Sequence, residues 1–443
     1  MAVSQPKLDG ATALSAHFPA PTGAKWANDA RATAMGIFNA QGAPHKRDEY
    51  WRYTDPSALT AVPTAPAALF SNDDAPMFDH VDRVRIVFVD GIFDPAQSDD
   101  LTLSGANIET LANATAMDIH WAKDLFGKLE SNGQTPVQRP LAALNTAVAD
   151  QGLVIHVTGK CEKPLAIRYI HNAETSDAMV HHVVKIDKGG EFTLLESGAG
   201  AARFNSVLEV DVADNAQFHH VRTQGRDHDR KTVTHMFGRL AQNSILRSFT
   251  MTMNGVLTRN DAVLEFTGDD AKATVAGACA GDGTGFHHDD TVFVTHDSVN
   301  CESRQVFKKV LRNGATGVFQ GKILVKPHAQ KTDGYQISQG LLLDENANFL
   351  AKPELEIYVR VEHRVKPELE IYADDVACSH GSTVGAIDED ALFYLVSRGV
   401  PRAQAQNMLV LAFLNEAIDE IDNDDLASDI RDRLAAWMAR HSV

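Results

Sequence analysis

The alternation of apolar and polar positions divides the chain into three textures. Over roughly the first 150 residues helical and strand periods are mixed. AKWANDARATAMGIFNA places Trp26, Ala30, Met35 and Phe38 at helical intervals, and Pro44 follows it. VRIVFVDGIFD reads as a strand running into an Asp-Gly turn. WAKDLFGKLE and RPLAALNTAVADQG are helical again, the second opening on Pro140 and closing at Gly152.

From about residue 153 the period becomes that of strands. LVIHVTG, PLAIRYIH, HHVVKI, EFTLLES, SVLEVDV, QFHHVRT, AVLEFTG, KATVAGA and DTVFVTH follow one another as short runs, divided by DKGG, ADN, GDD and GDG. The pattern continues through GVFQGKILVKP and YQISQGLLLDENANF. Such a stretch suits a large sandwich, a barrel, a propeller or a β-solenoid. DNAQF and ENANF are alike and each precedes a strand, which favours stacked coils, but no constant period accompanies them. The pattern by itself therefore reads as mainly β.

After Gly385 helices return. Asp388 is placed to cap EDALFYLVSR, which stops at Gly399 before Pro401. RAQAQNMLVLAFLNEAIDEI puts Met408, Leu411, Ala412 and Asn415 on a helical spacing beside a second apolar row. DDLASDIRDRLAAWMARH does the same with Leu426, Ile430, Leu434 and Met438. The expected organisation is an N-terminal helical and mixed region over 1–150, a β core over 151–385 and a C-terminal helical domain over 386–443.

Composition narrows the function classes. The 443 residues carry a net charge of −18, which argues against a nucleic-acid surface, because phosphate binding needs clustered Lys and Arg. No apolar run is long enough to cross a membrane, and the first residues lack the basic-then-apolar order of a secretory signal. A cytoplasmic protein is expected. The four cysteines, Cys161, Cys279, Cys301 and Cys378, form no CxxC pair and suggest no self-contained metal or cluster site.

Several motifs resemble chemistry without supplying it. Gly317–Lys322 has one residue too few for a phosphate loop, and Ile323 stands where Ser or Thr must reach magnesium. Gly198-Ala-Gly200 follows a strand but lacks the third glycine and the helix of a dinucleotide fingerprint. His287, His288, Asp289 and Asp290 with His296 are the best local candidates for a metal site, yet neighbours in a strand point to opposite faces. The acid pairs Asp289/Asp290 and Asp374/Asp375 suggest sugar cleavage, but the same alternation and ordinary turn chemistry argue against it. Cys378-Ser379-His380 differs: positions i and i+2 of an extended segment share a face. A thiol and an imidazole there can serve as nucleophile and base, or as two metal ligands, or can simply be a buried cysteine beside a bonded histidine.

KPELEIYADDVACSHGSTVGAIDEDALFYLVSRGV closely resembles the C-terminal signature of the SufB/SufD family of iron–sulfur cluster assembly proteins, on its SufD side. GKILVKPHAQKTDGYQISQGLLLDENANF, CESRQVFKKVLRNGATGVFQG and RDEYWRYTDP are similar to the same family. The resemblance implies a right-handed parallel β-helix core between the two helical regions. It implies a non-enzymatic scaffold that pairs with SufB through the β-helices and docks the ATPase SufC on its C-terminal helices. A nascent iron–sulfur cluster would form at the SufB–SufD interface, driven by SufC, and no cofactor would be held permanently by this chain. The cluster-ligand role falls on His380, with Cys378 second, and the remaining ligands would come from SufB. A polysaccharide-cleaving β-helix and a thiol enzyme built on Cys378 and His380 are the competing classes.

The chain departs from the family in carrying KPELEIY twice, from Lys352 and again from Lys366. The extra segment has an even number of residues, so a strand containing it keeps its two faces. The second copy, Lys366–Tyr372, is expected to hold the register because it runs directly into the Cys-Ser-His motif, with Val359–Val365 looping out.

Overall fold

The computed structural model describes residues 3–69, 76–225, 229–357 and 376–441. Two ten-stranded sheets face each other and form a β-solenoid of about seven turns. Successive strands alternate between the sheets: Asp177–Ile186 lies in one, Glu191–Gly198 in the other, Arg203–Val212 in the first again and Gln217–Gly225 in the second. The alternation continues to Asn348–Ile357 and Ala377–Gly385, the last described strand of each sheet. Pairing along the solenoid is parallel. Antiparallel pairs occur at its start, where Ile92–Phe93 folds back on Val84–Val89, and Thr102–Leu103, Ala106–Thr110 and Leu153–Val157 pair in series. The mixed region before residue 150 thus contributes the first strands of both sheets.

The Asn/Asp/Gly punctuation has a structural reason. At one corner the chain passes through a left-handed residue on turn after turn: Gly189, Asn215, Asn243, Asp270, Asn300 and Lys331 all have positive φ. Glycine adopts this conformation freely, and Asn and Asp tolerate it best among the others. The backbone N–H of each corner bonds to the next, Asn215 to Gln242 O, Asn243 to Asp269 O and Asp270 to Val299 O. From Asn215 onwards these positions recur 28, 27, 30 and 31 residues apart. That drift is why no constant period is visible in the sequence.

The space between the sheets is the main core. Phe192, Phe218, Leu246 and Ala273 stack in register on one wall, and Val184, Val210, Leu264, Val294 and Ile323 follow the other. The outer faces are covered by helices. Lys25–Gln41 and Pro140–Val148 pack on the first sheet with Phe38, Leu141, Leu144 and Val233. Arg402–Ile418 and Asp424–His441 pack on the second, sharing one cluster with Phe249, Met251, Val306 and Val310. Leu426, Ile430, Leu434 and Met438 are buried as their spacing predicts. In the preceding helix the second apolar row wins: Val410, Leu414 and Ile418 are buried, while Met408 is 45% exposed. Ion pairs select that face, with Glu416 on Lys308 and Glu420 on Arg304. Asp388 caps Glu389–Ser397 as expected, accepting from the N–H groups of Asp390 and Ala391.

The expected register of the repeated heptad is corrected. It is the first copy that holds the strand: Lys352–Ile357 pairs with Gln320–Val325, in line with Asn348–Ala351 on Thr316–Phe319. The second copy lies outside the described residues. Two features favour the first copy. Phe349, directly before it, fills the interior over Gly340, whereas a shift by the repeat would bring His363 to that place. Lys352 and Glu354 also meet the N-terminal region: Lys352 pairs with Glu49 and Glu354 accepts from the Tyr50 hydroxyl at 2.9 Å. Nineteen residues separate Ile357 from Ala377; without the fourteen-residue repeat five would, as between His296 and Glu302.

Candidate functional site

Cys378 and His380 stand on Ala377–Gly385, which pairs with Asp333–Leu341 and has no further strand beyond it among the described residues. The register sets their direction. Cys378 aligns with Gly334, Ser303 and Ala273, and His380 with Gln336, Gln305 and Val275, all on the wall that faces the solenoid interior. The i, i+2 reading is therefore correct: thiol and imidazole share a face, one rung beyond the Gln336–Gln305 hydrogen bond of 2.7 Å.

Their environments differ. Cys378 is half-buried against Ile323, Val325 and Leu355, and its Sγ would lie 3.1 Å from a Cβ placed on Gly334. Glycine at 334 makes the room for it. Burial pushes the thiol up, with Asp333 acting the same way and the Gly334 backbone hydrogen bond opposing. No basic side chain among the described residues lowers it, which counts against a nucleophilic cysteine. Alkylation by iodoacetamide at pH 7.5 is expected to be slower at Cys378 than for a free thiol, read by peptide mass spectrometry. A rate above that of free cysteine would restore the thiol-enzyme reading. His380 is exposed on the same rung.

The other candidates disperse. His287 and Asp289 point outward to the N-terminal region, where Thr54 Oγ1 bonds both, at 2.9 and 2.6 Å. Asp289 also accepts from Arg259 and Gln320. His288 and Asp290 point inward onto Lys309 Nζ, at 2.8 and 2.6 Å. His296 bonds Ser303 instead, and burial lowers it to about 3. These side chains thus point to different faces and bond different partners, and among the described residues they form no metal-holding cluster; Asp289 and Asp290 are also buried, away from any sugar. Asp374 and Asp375 lie outside the described residues. Gly317–Lys322 is strand, and Gly198 ends one strand before another. Among the described residues no three His, Cys, Asp or Glu side chains come together to hold a metal ion, so Cys378 and His380 form at most a partial ligand set.

The place of the RDEYWRYTDP stretch and the particular exposed residues of the C-terminal helices were not read from the sequence. The RDEYWRYTDP stretch clamps the last strands of the first sheet: Arg259 lies 4.2 Å over Trp51, and Lys352 4.5 Å over Tyr50. Its run of aromatics was the available signal. On the C-terminal helices Phe393 is 74% and Tyr394 56% exposed, beside the partly exposed Val396 and Met408. These four large apolar residues stand on two consecutive helices, with the Arg398 guanidinium 4.8 Å from the Tyr394 ring.

Residues 20–167 match the family described as SufBD protein N-terminal region, and residues 169–363 and 359–413 match the SUF system FeS cluster assembly, SufBD core domain. The chain belongs to the SufB/SufD family. The second core match restarts inside the first at residue 359, directly after the first copy of the heptad. The iron–sulfur cluster assembly protein SufD of Escherichia coli (strain K12) is 28% identical over 89% of either chain. A SufBD family protein of Synechocystis is 27% identical over 90% of this chain and 89% of its own. SufD of Bacillus subtilis is 25% identical over 64% of this chain and 63% of its own. The family, and with it the solenoid flanked by helices, places this chain in iron–sulfur cluster assembly within the SUF system. No described helix is long and apolar enough to cross a membrane.

Proposed function

We propose that this chain is the SufD-type scaffold subunit of a cytoplasmic SufB–SufC–SufD complex, acting without catalysis of its own. The observation that carries the reading is the last rung of the solenoid. Asn348–Ile357 and Ala377–Gly385 each end a sheet, with no further described strand on their outer sides, and His380 is exposed on the second. A free strand edge is a template for another chain, and a second solenoid such as SufB supplies strands of the same spacing. His380, with Cys378 behind it, would then offer part of a ligand set that SufB completes around a nascent cluster, the substrate of the assembly reaction. The exposed Phe393, Tyr394, Val396 and Met408 would receive SufC, whose ATP hydrolysis would reshape the interface.

Co-expression with SufB and SufC, purified through a tag on SufC, tests this. Wild-type chain is expected to co-purify with both. Phe393→Asp combined with Tyr394→Asp is expected to weaken SufC binding by about 2 kcal/mol or more, roughly thirtyfold, as loss of an aromatic anchor does. Both residues are exposed, so the fold is left intact. Undiminished capture of the double variant would remove the helices as the docking surface. Recovery of SufB and SufC without this chain would remove the scaffold reading itself.

A further inference from the structure

Inside the solenoid, Arg230 is 1% exposed and burial lowers its guanidinium to about 10, which leaves it charged at neutral pH. One nitrogen, Nη2, donates to the carbonyls of Asn254 and Met253, the latter at 3.2 Å. Nε and Nη1 have no hydrogen-bond partner among the described residues. No carboxylate among the described residues pairs with it. Glu196, which lines the same small cavity, is already committed: its oxygens accept from Tyr169 at 2.7 Å, His220 at 2.7 Å and Arg222 at 2.8 Å. A buried charge left without a counter-charge is strongly destabilising.

The surroundings are shaped for this cation. Gly255, at φ 124°, holds a backbone conformation that other residues rarely adopt, and a Cβ there would come 2.9 Å from Arg230 Cζ and crowd the guanidinium. The cavity that Arg230 lines leaves about 10 Å³ for the centre of a water-sized guest, which gives room for one sphere somewhat larger than water. Thr232, 2% exposed, lines it too, and its hydroxyl has no partner among the described residues. Two unsatisfied guanidinium nitrogens and a hydroxyl are donors, and together they ask for an acceptor that carries negative charge.

We propose that Arg230 and Thr232 form an internal binding site for one monovalent anion of halide size. Carboxylates, phosphate and sulfate are too large for the space. Chloride fits by size and charge, and so does hydrosulfide. The site stands on the geometry around Arg230 and does not depend on the assembly role; only the interest of hydrosulfide does.

The test uses the full chain. Crystals grown in sodium bromide are expected to show one anomalous peak within hydrogen-bonding distance of Arg230 and Thr232. In solution, replacing gluconate by chloride at constant ionic strength is expected to raise the unfolding midpoint in a saturable way. Arg230→Met should abolish both the peak and the chloride dependence. Gly255→Ala, which keeps the charge but crowds it, should weaken the chloride effect severalfold, and it serves if the Met variant fails to fold. A second crystal soaked with bromide and excess sodium hydrosulfide separates the two sources: loss of the bromide peak points to sulfide, its persistence to a halide. A water molecule without anomalous signal at Arg230, together with no saturable chloride effect, would overturn the site.

Discussion

Lowering the pH from 6.5 to 5 is expected to cost this protein several kcal/mol of folding stability. Seven histidines have pKa values lowered in the fold, each chiefly by burial: His182, His219, His220, His235, His287, His288 and His296. Two are lowered far enough to place. His182, held by the Tyr169 hydroxyl at 2.8 Å, falls to about 4, and His296, on Ser303, to about 3.

The sign follows from linkage. Above pH 6.5 these groups are neutral in both states and contribute nothing. Below it the unfolded chain takes up protons that the folded chain refuses, so stability falls with pH until each folded value is reached. Each such proton weakens the fold by about 1.4 kcal/mol per pH unit, so His182 and His296 together lose about 4 kcal/mol between pH 6.5 and 5. Glu130 acts in the opposite sense. Burial, with Glu209 beside it, raises it to about 8, so it is protonated in the fold while ionised in the unfolded chain. Over the same window it returns about 2 kcal/mol. The five further histidines decide the balance toward loss, against a total that for folded proteins is about 5–15 kcal/mol. Below the ordinary carboxylate range Glu196 and Asp261, both held low by arginine and histidine partners, add to the same trend. Urea midpoints at pH 7, 6 and 5 check this; a midpoint that holds or rises would mean the buried histidines are hydrated.

How much of this was legible depended on whether the information was local. The strand texture, the Asn and Asp corners, the Asp388 cap and the faces of Cys378 and His380 follow from periods of two and from left-handed residues, which neighbours in sequence determine. The choice of solenoid over sandwich or barrel did not follow from them, because corners such as Asn215 and Asn300 recur at drifting intervals and left no period to read. It came from the resemblance. The repeated heptad was misread for a long-range reason: its two copies are locally identical, and what separates them is Phe349 over Gly340 and the contacts of Lys352 and Glu354 with Glu49 and Tyr50, some 300 residues away in the chain. Which apolar row of Arg402–Ile418 is buried was likewise set by Lys308 and Arg304 on the sheet beneath it. The fate of His288 and Asp290 depended on Lys309, a strand of the opposite sheet, which the local sequence does not announce.

His380→Ala is expected to lower the yield of cluster formed on the SufB–SufC–SufD complex by tenfold or more while leaving the complex assembled. The imidazole is exposed, and the strand that carries it is held by backbone pairing with Asp333–Leu341, so its removal should change stability by no more than about 0.5 kcal/mol. Cys378 cannot easily replace it. Its thiol faces inward on Ile323 and Leu355 and is raised by burial, so forming the thiolate that binds iron carries a cost the imidazole does not bear. Cys378→Ser should therefore have the smaller effect, and His380→Cys, which sets a soft ligand on the exposed rung, should recover part of the yield where His380→Gln does not. The readout is iron and acid-labile sulfide per complex after reconstitution, with capture through SufC as the control for assembly. A reduced yield with all three subunits present places the loss in ligation; a reduced yield with SufB missing would make His380 a docking residue; and a wild-type yield in the intact alanine complex would remove this chain from the cluster's ligands altogether.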